Sequence, residues 1–131
     1  MIYTSYFAQM KKLIKNDLTP IAICGKSPDW YNGLEYKKLA PKLYFFKIWK
    51  ETGDNAYYVK HYREDILDKL NPHNVVKELQ ELSNKDKDIV LLCYEKPDDF
   101  CHRHIVSLWL NCNNINCEEW RENNERNGII I

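Results

Sequence analysis

Cys93, Glu95, Cys101, His102 and Arg103 lie close together in the chain, and their side chains are of the kinds that perform nucleophilic, acid–base and anion-binding work. A thiol at a helix start, beside a permanent cation and an imidazole, has its pKa pulled down, because each neighbour favours the thiolate. A guanidinium, an imidazole and a helix N-terminus together also suit a phosphate or carboxylate. The corresponding roles are Cys101 or Cys93 as nucleophile, His102 as proton carrier, Glu95 as basic or orienting carboxylate and Arg103 as anion holder. A structural account uses the same residues differently. In it Cys101 packs on a core stripe, Arg103 pairs with Asp98 or Asp99, and His102 is a surface residue.

The elements that would position these groups can be read on either side of them. Ile89 to Cys93 is a continuous apolar run, as expected of a strand covered on both faces in a parallel sheet. Alternation puts Cys93 and Glu95 on one side and Tyr94 on the other. From Cys101 the period changes: Cys101, Ile105, Leu108 and Cys112 form a helical stripe, with Asp98 or Asp99 as the N-cap. In open α/β sheets ligands bind beyond the carboxyl ends of the strands, where this junction falls. A second loop, Cys24 to Gly33, also follows a buried strand. Its Lys26 and Ser27 could touch an anion, and its Trp30 and Tyr31 could stack on a planar ring such as a nucleobase or seal the edge of the core.

The rest of the chain supplies a regular alternation. Ile2 to Ser5 reads as a first strand, followed by a helix through Phe7, Met10, Leu13 and Ile14, then a second strand from Pro20 to Cys24. A helical pattern starts at Leu34 and runs through Lys38 and Leu39 to a stop at Pro41. Tyr44 to Trp49 fits strand or helix, and 51–55 reads as a loop around Gly53. Tyr58, Tyr62, Ile66 and Leu70 recur at helical spacing, and Asn71-Pro72 caps and opens another helix carrying Val75, Val76, Leu79 and Leu82. The polar stretch Ser83 to Asp88 ends it, and Ile115 to Trp120 supplies a last strand. The expectation is one α/β domain over residues 1–120, three-layered, with a mostly parallel sheet flanked by helices in a Rossmann-like or flavodoxin-like manner, and a polar tail over 121–131.

Composition narrows the function further. The chain has 131 residues with 19 basic and 19 acidic side chains, so it carries no global field for nucleic acid or an anionic membrane. No apolar run approaches the ~18 residues of a membrane span, and no signal-peptide pattern opens the chain. Five cysteines, an odd number, do not suggest a secreted disulfide framework, so reduced thiols in a cytoplasmic protein are expected. Abundant Lys, Asn and Ile suit an AT-rich bacterial or phage genome. Cys24-Gly25-Lys26-Ser27 completes neither a dinucleotide fingerprint nor a Walker A loop. Cys93, Cys101, His102 and His104 offer metal-ligand chemistry, yet no C-x2-C pair is present, and because successive helix residues point about 100° apart, His102 and His104 cannot easily meet one ion. Neither metal nor cofactor is therefore expected. A Cys93–Cys101 disulfide is a further alternative.

The text L-L-C-Y-E-K-P-D-D-F-C-H-R-H, with S-P-D-W-Y-N-G-L-E-Y-K-K-L-A-P-K upstream, resembles the DUF488 family of small bacterial and phage proteins. Its hallmark is an apolar strand ending in L-L-C-x-E, a short loop, then C-H-R opening a helix. Leu91, Leu92, Cys93, Glu95, Cys101, His102 and Arg103 are all in register with it. Many members close the first strand with a T-I-G-H-S-like segment, where this chain has Tyr3-Thr4-Ser5-Tyr6 and no histidine. The resemblance implies an α/β fold and an active site at the C-x-E and C-H-R elements, and names no reaction. The function expected is that of a small enzyme acting on a phosphate-bearing or nucleotide-like small molecule. Cys93, Glu95, Cys101 and His102 would be catalytic, Arg103, Lys26 and Ser27 would bind the anion, and Trp30 and Tyr31 would stack on the ring. The alternative is a non-catalytic nucleotide or anion binder using the same pocket.

Overall fold

A computed structural model of the chain describes residues 1–83 and 87–122; most of the expected polar tail, and part of the 83–88 stretch, lie outside the described residues. Five strands, β1 (Ile2–Tyr6), β2 (Thr19–Ala22), β3 (Leu34–Glu35), β4 (Ile89–Cys93) and β5 (Cys117–Glu119), form one sheet in the order β3-β2-β4-β1-β5. Every pairing is parallel. The architecture is thus α/β as expected, though the order is neither of the two common doubly wound ones, 3-2-1-4-5 and 2-1-3-4-5.

The connections explain the layers. From β1 the chain crosses over β4 to reach β2, and from β4 it crosses over β1 in the opposite direction to reach β5. Right-handed crossovers running in opposite directions place their helices on opposite faces. Leu13 of α1 (Met10–Lys15) packs with Tyr3, Ala22, Val90 and Leu92 on one face. On the other, Ile2, Ile21, Ile89 and Leu91 meet Phe45 of α2 (Leu43–Thr52), Tyr58 and Tyr62 of α3 (Asn55–Asp65), Val75 and Leu79 of α4 (Pro72–Leu82) and Val106 and Leu110 of α5 (His102–Cys112). All five residues of β4 are buried, which accounts for its unbroken apolar run.

Local chemistry sets the helix ends. The Asn71 side chain accepts from the backbone N–H groups of His73 and Asn74, with Pro72 at the first turn of α4. Asp54 caps α3 through the Tyr57 N–H, and Gly53 closes α2 with φ of 68°, a left-handed conformation that glycine adopts without a Cβ clash. Tyr44 to Trp49 is therefore helix.

Three expectations are corrected. The pattern from Leu34 is a two-residue edge strand and a short 3-10 turn (Lys37–Leu39), because backbone pairing with β2 outweighs a weak helical period. The helix after β1 is a 3-10 turn (Phe7–Gln9) leading into α1, with Ile14 exposed. In α5 the buried stripe is His102, Arg103, Val106 and Leu110; Leu108 is 65% exposed, Cys112 is exposed, and the N-cap is Cys101 rather than Asp98 or Asp99. Hydrophobicity alone could not find that stripe, since two of its first members are polar.

Arg103 is the reason the stripe can include them. It is 0% exposed, and its Nε and Nη2 donate to Oε1 and Oε2 of Glu119 at 3.1 and 2.9 Å. Nη1 donates to the Glu95 carbonyl at 2.6 Å, and the guanidinium carbon lies 5.7 Å from the centre of the Tyr6 ring. Thr4 adds a hydrogen bond to Glu119 Oε1 at 2.7 Å. Removing one partner of a buried pair strands the other charge, so Glu119→Ala should cost about 3–5 kcal/mol in urea denaturation. The pair replacement Arg103→Met with Glu119→Leu should recover most of that loss. A cost under about 1 kcal/mol for Glu119→Ala would mean that the arginine finds water and that the pair does not fix α5.

Candidate active site

The chain leaving β2 turns toward one face of the sheet, and the chain leaving neighbouring β4 turns toward the other. Between such diverging ends an α/β sheet has a natural crevice. A cavity of about 730 Å³ opens there, within the usual range for small-molecule sites. Its floor holds Cys93, Cys101 and His102, its walls include Phe46, Trp49, Tyr58 and Phe100, and Lys26, Lys50, Tyr94 and Glu95 also line it.

Burial of the floor is nearly complete from the protein side. Cys93 ends β4 and Cys101 begins α5, each 5% exposed, and their sulfurs meet as a disulfide pair. His102 Nδ1 lies 3.5 Å from Cys93 Sγ and 4.0 Å from Cys101 Sγ. The opposite ring nitrogen, Nε2, is 2.7 Å from the carbonyl oxygen of Ile23, just past β2. A carbonyl can only accept, so Nε2 carries the hydrogen and Nδ1 presents its lone pair to the sulfurs. The Tyr62 ring packs edge-on at 5.4 Å, itself held by a 2.6 Å bond from its hydroxyl to the Leu39 carbonyl. The two sulfurs and a histidine nitrogen all lie within 4.8 Å of one another, which makes them the donor set among the described residues that could hold a metal ion.

Protonation follows from this packing. Burial drives the His102 pKa down to about 4, and the nearby Arg103 and His104 add to the effect while the Ile23 carbonyl opposes it. The imidazole is therefore neutral near pH 7. Cys24 also lines the cavity, with its thiol pKa raised by burial despite contact with Ser27.

The residues anticipated from the sequence separate into two groups. Cys93, Glu95, Cys101 and His102 share the cavity, and Lys26 stands at its edge. Arg103 does not line it: its hydrogen bonds go to Glu119 and the Glu95 carbonyl, so it fixes the backbone beneath the site instead of presenting a free guanidinium. Ser27 donates to Glu35 at 2.6 Å, which lowers the Glu35 pKa, and it stands outside the cavity lining. Tyr31 is buried in the cluster on the other face, bonded to the Leu34 carbonyl, and Trp30 is 58% exposed with its ring edge-on to Phe7. Neither ring lines the cavity. The aromatic walls come instead from Phe46, Trp49, Tyr58 and Phe100. Phe100 beside Cys101, and Phe46 and Trp49 three apart on α2, were the available signals.

A family model described as the active DUF488-N3 subclade, DUF488-N3a, matches residues 7–114, and the chain belongs to that family. Comparison with curated proteins and with solved structures finds no match.

The histidine gives a pH test. Its folded pKa is about 4 against an ordinary 6.5, so between those values the unfolded chain binds a proton that the folded chain does not. Its contribution is complete above about pH 6.5 and is lost as pH falls toward 4, on the order of 3 kcal/mol over the window. His102→Gln keeps a donor for Ile23 but cannot titrate. With chelator present, the difference in denaturation free energy between wild type and His102→Gln should fall by that amount from pH 7 to pH 4. A pH-independent difference would contradict a buried neutral imidazole.

Proposed function

We propose that this DUF488-N3 protein is an enzyme that takes a phosphate-bearing, nucleotide-like small molecule into the aromatic cavity and reacts it at the Cys93–Cys101–His102 floor. The observation that carries this reading is the convergence of two sulfurs and an unprotonated imidazole nitrogen at the bottom of an aromatic-walled cavity. Such convergence is what thiol chemistry needs, because a thiol becomes reactive only when a base or cation takes up its proton or its charge. With the pair reduced, Nδ1 faces Cys93 as that base.

The walls suit the other part of the ligand. Trp49, Phe46, Tyr58 and Phe100 offer ring faces and edges to a planar heterocycle. Lys50 stands 5.8 Å from the Phe46 ring centre and 6.0 Å from that of Trp49, so a cation is already set over the aromatic wall. Together with Lys26 and the N-terminus of α5 it would meet a phosphate, the task expected of Arg103 from sequence. Glu95, half-buried at the cavity edge with its backbone held by Arg103, is suited to accept a ligand hydroxyl.

The test is a binding and turnover panel of nucleoside monophosphates, ribose 5-phosphate and inorganic phosphate on reduced protein. Nucleotides should bind best, and Trp49→Ala and Lys50→Ala should each weaken them about tenfold, a loss of about 1.4 kcal/mol. Product analysis by mass spectrometry should show conversion that Cys93→Ser with Cys101→Ser abolishes while binding persists. Conversion that survives the double replacement, or nucleotide binding indifferent to Trp49 and Lys50, would overturn the reading; binding with no conversion would make the protein a binder.

A further inference from the structure

We propose that, in the reduced protein, Cys93 Sγ, Cys101 Sγ and His102 Nδ1 hold one divalent metal ion of zinc-like character, with its fourth position open to the cavity. The proposal rests on the reading that this floor is the reacting centre, and it adds what makes the floor reactive. Two sulfurs and one imidazole nitrogen within 4.8 Å of one another are the donors such ions prefer.

Three features of the surroundings point the same way. First, a metal-bound histidine characteristically donates its other ring N–H to a carbonyl or carboxylate, which fixes the tautomer and aims the lone pair. His102 does this with the Ile23 carbonyl at 2.7 Å. Second, Nδ1 is a buried acceptor directed at both sulfurs, and a disulfide has no hydrogen to give it. Reduction and metal binding would give this lone pair a bonded partner at the 3.5 and 4.0 Å sulfur contacts. Third, the Cα atoms of Cys93 and Cys101 are 7.2 Å apart, a span that accommodates an ion bonded at roughly 2.3 Å to each sulfur. Three protein ligands with a fourth position facing a cavity is the pattern of reactive sites, whereas purely structural sites close all four.

Spacing counted against these ligands in the sequence, where no C-x2-C pair is present. Cys93 and Cys101 are eight residues apart, on a strand end and a helix start, and the histidine follows its cysteine directly. Binding is a balanced exchange: the divalent ion enters, two thiols become thiolates, and two protons leave to solvent.

The experiment uses the full chain reduced with a phosphine, which is oxidised to its oxide as water supplies the oxygen and the disulfide takes up two electrons and two protons. Excess reductant is removed without air, and cobalt(II) is added as a spectroscopic probe. One equivalent should bind with a thiolate-to-cobalt charge-transfer band and tetrahedral ligand-field bands, and zinc(II) should displace it. His102→Gln should weaken cobalt binding at least tenfold, and Cys112→Ser, at an exposed cysteine away from the cavity, should leave it unchanged. On the unaltered chain zinc should protect Cys93 and Cys101, but not Cys112, from iodoacetamide, which keeps the test independent of whether variants fold. The absence of the charge-transfer band, or equal alkylation of Cys93 and Cys101 with and without zinc, would overturn the metal site while leaving the nucleotide panel to decide the function separately. Cobalt binding lost only in Cys112→Ser would also overturn it.

Discussion

A full positive charge with no solvent contact sits at the start of α5, and the arrangement around the cavity depends on how that charge is satisfied. Arg103 is held at both oxygens of Glu119, at the Glu95 carbonyl and over the Tyr6 ring. Exchanging such a buried pair for hydrocarbon is often neutral or stabilising, so its contribution here lies more in orientation than in net stability. One rotation of α5 places the guanidinium against β5 while its neighbour His102 reaches beneath the end of β2. Other rotations take the guanidinium away from both Glu119 oxygens. Cys101 is thereby set against Cys93, and the loop carrying Glu95 is tied down by its own carbonyl.

That orientation has effect because of where the strands end. The central strands send their connections to opposite faces, which leaves a crevice at the carboxyl ends of β2 and β4. The long excursion between β3 and β4 then supplies its walls: Phe46 and Trp49 come from α2 and Tyr58 from α3. Trp49 and Tyr58 both pack against Phe100, at 5.3 and 5.1 Å between ring centres. Tyr58 stacks on Tyr62, which abuts His102, so the wall and the floor of the cavity belong to one run of packed rings. A change in the cavity's aromatic lining is therefore mechanically close to the imidazole.

Much of the fold was legible in the order of residues, and for identifiable reasons. The unbroken apolar run of β4, the Asn71-Pro72 start of α4 and the alternation of strand and helix are local signals, set by burial on two faces, by backbone N–H groups needing a cap and by chain connectivity. The clustering of Cys93, Glu95, Cys101 and His102 was legible too, since a strand end and the following helix start must be neighbours. The α5 stripe was not, because hydrophobicity ranks Leu108 above Arg103 although the arginine is buried and the leucine exposed. That Trp30 and Tyr31 stand away from the cavity was not legible for a related reason: nothing local says toward which face of the sheet a loop folds.

By itself, then, the sequence determined the secondary elements, the α/β class and the family, each of which depends on short-range pattern. It also determined that Cys93, Cys101 and His102 lie at a strand–helix junction. Only the tertiary structure decided that Arg103 serves Glu119, that His102 turns its lone pair to two sulfurs, and that rings from α2 and α3 enclose them. Those facts depend on partners tens of residues away, Ile23 for the histidine and Trp49 for Phe100 among them. Which polar group is buried is settled by the availability of a partner in space, and a one-dimensional pattern does not carry that information.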